Sequence, residues 1–136
     1  MPGGGNSCTL GAVDQRPIIV VARFSLLAAV VAISFLAVTD RPYPLVESVP
    51  DKLNHFAAFA VLGLLADYAF PTARFGAAKI LALAGYGVAI EVVQSFLPHR
   101  QASLLDVVAD AAGIGLYALC VPVLMRIPVL RRPAKG

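Results

Sequence analysis

Charged residues are scarce in this chain of 136 residues. Asp, Glu, Lys and Arg together make up 14% of the sequence, whereas apolar residues make up 59%. A soluble domain is about a quarter charged and about half apolar. The composition therefore excludes an ordinary soluble globular domain and predicts an integral membrane protein. At this length the chain has room for one domain rather than two.

Cysteines are also few, and neither belongs to a recognisable motif. Cys8 lies in a polar leader and Cys120 inside an apolar run, so their settings do not suggest a disulfide, and no CxxC pair is present. The residues before Cys8 do not form the apolar region of a lipoprotein signal. HExxH is absent as well, and His55 with nearby acids is a thin ligand set. We therefore predict neither a metal nor another cofactor.

Long apolar runs dominate the remainder of the sequence. Four segments have close to the ~20 residues needed to cross a bilayer core. Short linkers rich in turn residues separate the last three segments, which predicts antiparallel neighbours. We predict an all-α integral membrane bundle of four transmembrane helices, flanked by a mobile Gly-rich tail and a basic C-terminal tail. The segments are 17–38, 53–70, 76–97 and 104–127, and the tails are 1–16 and 128–136.

The distribution of Lys and Arg predicts the orientation of these segments. Eight Lys and Arg residues flank one side of the bundle and three flank the other. Because the richer side is normally cytoplasmic, both termini are predicted to be cytoplasmic at the cell membrane, with loops 39–52 and 98–103 facing outward. Topology accounts for the basic residues, so nucleic acid is not a predicted partner. The eight are Arg16, Arg23, Arg74, Lys79, Arg126, Arg131, Arg132 and Lys135, and the three are Arg41, Lys52 and Arg100.

Polar residues inside the spans are informative because a charge at the bilayer centre costs about 2.5 kcal/mol or more. At about 100° per residue, each of the last three segments has one face of polar or small residues. These faces are predicted to meet in the bundle interior and to form one polar cluster in its outer half. The cluster consists of Lys52, His55, Glu91, Gln94, Arg100, Asp106 and Asp110.

The order of these residues resembles the VanZ-like family of small membrane proteins over residues 51–115. In that family a "K..H" pair opens one span, an "E..Q" pair closes the next, and an "R.....D...N..G" run leads into the last. Asp110 departs from the pattern, since the family usually has Asn there. The resemblance implies a polytopic membrane protein. The founding member is associated with low-level resistance to the glycopeptide teicoplanin, a role that is not transferred to this chain. The matching residues are Lys52, His55, Glu91, Gln94, Arg100, Asp106 and Gly113.

Four cluster residues have both a structural and a functional interpretation. Lys52 and Arg100 either anchor helix ends at the lipid head groups or hold a phosphate or carboxylate. His55 is either a hydrogen-bonded interior residue or a proton shuttle. Glu91 either ties the helices together by pairing with a cation or acts as a general acid or base. The sequence does not decide between these interpretations.

Other polar residues have simpler explanations. Ser103 and Asp106 form a Ser-x-x-acid helix start, so Asp106 either caps the fourth helix or belongs to the cluster. Asp51 is expected to interact with the dipole of the second helix. Gln94 is expected to make interhelical hydrogen bonds.

Asp67 lies too far along the second segment to join the cluster. It is about 18 Å from His55 along the helix and points about 120° away from it. We therefore expect Asp67 to pair with Arg74 or Lys79 near the inner end of the bundle.

Three functions from different classes stay open. The leading hypothesis is a protein that binds an anionic, lipid-associated ligand of the envelope. In this hypothesis the anion is held by Lys52 and Arg100 and oriented by His55, Glu91 and Gln94, and these partners are fixed by Asp106 and Asp110. The second is a membrane enzyme that uses Glu91 or His55 for acid–base chemistry on a lipid-linked substrate. The third is a structural or accessory subunit whose cluster only holds the helices together. The sequence predicts the bilayer as a partner and does not predict an oligomeric state.

Overall fold

The structure, a computed structural model, describes residues 16–40, 49–98, 100 and 102–128. These residues form four α-helices and no strand, which confirms the predicted all-α fold. The predicted tails lie almost wholly outside the described residues, and so do Cys8 and most of the 39–52 loop. The helices are α1 (Arg16–Val38), α2 (Asp51–Ala69), α3 (Ala77–Gln94) and α4 (Leu104–Leu124).

Three of the four helices, α1, α3 and α4, are long and apolar enough to cross a membrane. Helix α2 has 19 residues, enough to span roughly 28 Å, but it carries charged residues in its first turn and Asp67 near its end. It packs against each of the other three helices. Polar side chains in a span normally face protein rather than lipid, so the composition of α2 suits this position.

An apolar core lies among the helices, while large apolar side chains also face outward. Phe59 and Leu62 of α2 and Ile114 of α4 are almost fully buried in the core. On the outside, Phe24 of α1 and Leu119 of α4 are highly exposed. A helix that is apolar on both its inner and outer faces is typical of a bundle surrounded by lipid.

The helices alternate in direction, so each end of the bundle contains one terminus of every helix. Gln94 at the end of α3 donates a hydrogen bond to the carbonyl of Ala37 near the end of α1. We call this end, which also contains the starts of α2 and α4, the His55 end. At the opposite end Arg23 near the start of α1 donates to the carbonyl of Ala69 at the end of α2. We call that end the Asp67 end.

The Asp67 end contains a closed polar network. Lys79 Nζ lies 2.8 Å from Asp67 Oδ1, and Tyr117 Oη donates to Asp67 Oδ2 at 2.9 Å. Lys79 also donates to the carbonyl of Ala73. Of the two partners expected for Asp67, Lys79 is the one observed. This network joins α2, α3 and α4 with its charges paired.

Glycines allow the helices to approach closely. A Cβ atom at Gly113 of α4 would collide with the backbone of Phe56 and Ala60 in α2. A Cβ atom at Gly87 of α3 would lie 2.5 Å from Asp110 Oδ2. Both glycines lie on the small-residue faces predicted from the sequence, and both border the His55 end of the bundle.

Candidate functional site

His55 links three helices at the His55 end. It lies in the second turn of α2, with 13% of its side chain exposed. Its Nδ1 lies 2.9 Å from Asp110 Oδ1 on α4, and its Nε2 lies 4.0 Å from Glu91 Oε1 on α3. The three helices predicted to form the polar cluster therefore meet at this side chain.

Glu91 of α3 accepts a hydrogen bond from the residue that precedes α4. Its Oε2 accepts a hydrogen bond from the backbone N–H of Ser103 at 2.9 Å, while Ser103 Oγ accepts from the N–H of Leu105. In a capping box, the acid three residues after the serine accepts the serine N–H. Here Glu91 from the neighbouring helix takes that part in place of Asp106. Ser103 is therefore a simple N-cap that accepts the N–H of the second helical residue, Leu105, and the reciprocal bonds of the predicted capping box with Asp106 are not formed.

Asp106 instead faces Lys52. The two side chains lie 3.7 Å apart between Lys52 Nζ and Asp106 Oδ1. Asp106 is only 3% exposed, whereas 55% of the Lys52 side chain is exposed. Asp106 is thus an interior member of the cluster, and Lys52 lies at its rim.

The cluster contains carboxylate oxygens that lack hydrogen-bond partners. Among the residues that the structure describes, Glu91 Oε1, Asp106 Oδ1 and Asp110 Oδ2 are buried and accept no hydrogen bond. The basic groups beside them are Lys52 and, when protonated, His55. A buried carboxylate oxygen without a partner is costly, so a cation or hydrogen-bond donor beside these oxygens would stabilise this part of the bundle.

Gln94 and Arg100 reach the end of α1. Arg100 Nη2 donates to the carbonyls of Leu36 at 2.8 Å and Thr39 at 3.2 Å, and Gln94 Nε2 donates to Ala37 at 3.2 Å. The last carbonyls of a helix have no partner within it, so these donors satisfy the end of α1. The interhelical bond expected of Gln94 is confirmed. The sequence did not predict the participation of α1, because backbone carbonyls at the end of a helix carry no residue-specific signal.

A cavity of about 230 Å³ opens between α1, α2 and α3 at the His55 end. Both polar and apolar groups line it. Lys52 does not line the cavity, whereas Asn54, which the sequence analysis did not select, does. The polar lining residues are Asp51, Asn54, His55, Gln94 and Arg100, and the apolar ones are Ile33, Leu36, Ala37, Ala58, Phe59 and Ile90.

One group of side chains in the described part of the chain has the spacing of metal ligands. Asp51, His55 and Asp106 each offer one donor atom, and these atoms all lie within 4.8 Å of one another. Asp51 is exposed, His55 is partly buried and Asp106 is buried. The group therefore connects the cavity wall to the buried carboxylates.

Comparison with known proteins identifies one relationship. The model of the family described as VanZ/LLP1 matches residues 11–126, which is most of the chain. The match includes every residue of the polar cluster and all of the helices that carry it. Searches of curated proteins and of solved structures give no significant match.

Proposed function

From the premise that the chain belongs to the VanZ/LLP1 family of membrane proteins, we propose that its cavity binds an anionic, lipid-associated ligand of the cell envelope. The observation that supports this function is the mixed polar and apolar lining of the cavity. Asn54, Gln94 and Arg100 provide donor groups, while Ile33 and Leu36 provide an apolar surface. An amphiphile with an anionic head and an acyl chain matches both parts.

Arg100 is the residue proposed to hold the anion. Its Nη2 donates to the carbonyls of Leu36 and Thr39 at the end of α1, and a guanidinium has further N–H donors in the same plane. Charge-assisted hydrogen bonds from arginine to phosphate or carboxylate are among the strongest in proteins. The bonds to α1 also reduce the freedom that the side chain loses when a ligand binds.

The other cluster residues have supporting parts in this proposal. Asp110 fixes the ring of His55 through Nδ1, and His55 lines the cavity. Lys52 attracts an anion from the rim, where it is half exposed, rather than from inside the cavity. Glu91 holds the start of α4, and Asp106 holds Lys52. Gln94 fixes the end of α1. The excess of Lys and Arg at the other end of the bundle supports an outward-facing cavity.

Native mass spectrometry of the purified protein tests this proposal. Wild-type protein extracted with its membrane lipids is expected to retain an anionic lipid species, and Arg100→Gln is expected to lose at least about 90% of it, since a tenfold change corresponds to one charge-assisted bond. Arg74→Gln is the matched control, because Arg74 is exposed in the loop at the Asp67 end. Equal retention by wild type and Arg100→Gln would refute the proposal.

The arrangement of His55 supports a second candidate, a membrane enzyme acting on a lipid-linked substrate. His55 lies between Asp110 and Glu91 and borders the cavity, as a general acid or base held by a carboxylate would. Incubation of purified protein with radiolabelled envelope lipids distinguishes the two functions. Product that disappears in His55→Gln would establish the enzyme, whereas binding without any turnover would favour the ligand-binding function.

A further inference from the structure

Asp51 and His55 present their side chains on one face of α2. They are four residues apart, so they lie one helical turn from each other on the same side of the helix. Asp106 in the first turn of α4 faces them, and the donor atoms of all three residues lie within 4.8 Å of one another. Two helices thus bring one imidazole and two carboxylates together at the His55 end.

Asp106 is the member of this group that most needs another partner. It is 97% buried, being 3% exposed, and its Oδ1 accepts no hydrogen bond from any residue in the described part of the chain. Lys52 Nζ lies 3.7 Å from that oxygen, beyond hydrogen-bonding distance. A buried carboxylate oxygen in this position lacks the donor that would compensate for its lost hydration.

His55 is held as metal-binding histidines generally are. A ligating histidine usually donates its second ring N–H to a carboxylate, which fixes the ring and its tautomer. The 2.9 Å contact between His55 Nδ1 and Asp110 Oδ1 has this form. With Asp110 as the acceptor, Nδ1 is the donor of this bond, and Nε2 is the ring nitrogen that would bind a cation. Glu91 Oε1, which is also buried without a hydrogen bond, lies 4.0 Å from that nitrogen.

We propose that Asp51, His55 and Asp106 bind a divalent cation of the first transition row. A mixed set of imidazole and carboxylate ligands suits Zn²⁺ or Mn²⁺, and a dication would supply the partner that the buried oxygen of Asp106 lacks. Asp110 is then a positioning residue for His55, and Glu91 is the neighbouring carboxylate. The proposal does not depend on the lipid-associated ligand, since the cation binds to side chains of the protein alone.

Lys52 competes with this cation. Its ammonium group lies near Asp106, and more than half of the side chain is exposed, so it can move into solvent when a cation arrives. Removing its charge is therefore expected to strengthen metal binding. A purely structural pair between Lys52 and Asp106 predicts no gain in metal affinity when Lys52 is changed.

Isothermal titration of the full-length protein in detergent tests the site. The protein is freed of metal with a chelator and titrated with Zn²⁺ and, separately, with Mn²⁺. Wild type is expected to bind one cation per chain, and Asp51→Asn and Asp106→Asn are expected to bind about tenfold or more weakly. Asp40→Asn removes the same charge from an exposed residue after α1 and is expected to bind like wild type.

The remaining outcomes decide the proposal even if Asp106→Asn fails to fold. Asp51 is exposed, so Asp51→Asn is expected to fold and still lose affinity. Lys52→Gln is expected to bind severalfold more tightly than wild type. The proposal is overturned if neither cation binds stoichiometrically to wild type, or if Asp51→Asn and Asp40→Asn bind equally well.

Discussion

The two carboxylate oxygens of Glu91 have different surroundings at the His55 end. Its Oε2 accepts the N–H of Ser103 and completes the cap of α4, while its Oε1 faces His55 Nε2 at 4.0 Å without a hydrogen bond. The first oxygen ties α3 to α4. The second oxygen is a buried acceptor directed at His55. Holding α3 against α4 does not require an acceptor in that position.

Substitutions of Glu91 separate its two oxygens. Glu91→Gln keeps a carbonyl acceptor for the N–H of Ser103, so its thermal unfolding in detergent is expected to stay near that of wild type. Glu91→Leu leaves that N–H unpaired and is expected to lose about 1–3 kcal/mol of stability. Val92→Leu, on the neighbouring exposed residue, is the control. Similar melting temperatures for the Gln and Leu variants would show that the cap does not depend on Glu91.

Residue spacing predicted which side chains lie at the same end but not which atoms pair. Helical pitch alone places His55, Glu91 and Asp110 on inward faces, and the structure joins them. The choice of Glu91 rather than Asp106 as partner for Ser103 depends on how far α3 is rotated against α4. That rotation is fixed by packing across helices, which a pattern within one helix does not contain.

At the scale of the helices, the tightest contact is between α2 and α4. Gly113 brings α4 against the backbone of Phe56 and Ala60, next to the turn that carries His55. This contact sets the distance across which His55 reaches Asp110. The sequence predicted a small-residue face on α4, but it gave no indication that α1 would supply carbonyls to Gln94 and Arg100.

Two glycines of α4 offer a matched pair of substitutions. A Cβ atom at Gly113 would collide with the backbone of α2, whereas a Cβ atom at Gly115 would meet nothing within 4 Å. Gly113→Ala is expected to destabilise the bundle by about 1–3 kcal/mol through overpacking. Gly115→Ala is expected to be neutral or to stabilise the helix by up to about 1 kcal/mol. Equal unfolding of the two variants in detergent would argue against the close contact of α2 and α4.

At the scale of the whole molecule, the two ends of the bundle differ in how their buried carboxylates are hydrogen-bonded. At the Asp67 end, Lys79 and Tyr117 both bind the carboxylate of Asp67. At the His55 end, buried oxygens of Glu91, Asp106 and Asp110 accept no hydrogen bond from the residues that the structure describes, and a cavity lined by the adjacent His55 opens there. A cavity also opens at the Asp67 end, between α1 and α2, but no charged residue lines it, whereas His55 and Arg100 line the cavity at the His55 end. The difference is the reason for assigning the function to the His55 end.

Reporter fusions test which side of the membrane each end faces. Alkaline phosphatase joined after residues 46 and 100 is expected to be active, because both loops are predicted to face outward. A fluorescent protein joined after residues 73 and 136 is expected to fluoresce, because these positions lie on the side richer in Lys and Arg. Fluorescence of a fusion after residue 100 would place the cavity on the cytoplasmic side and rule out an outward-facing site.

The binding of an anionic, lipid-associated ligand beside Arg100 is tested most directly by a crystal structure of protein purified with its native lipids and grown in a lipidic phase. The predicted result is an anionic head group hydrogen-bonded to Arg100 and bordered by His55, with an apolar chain along Ile33 and Leu36. The contradictory result is a cavity closed by its own side chains, with Arg100 bonded to α1 and no head group beside it.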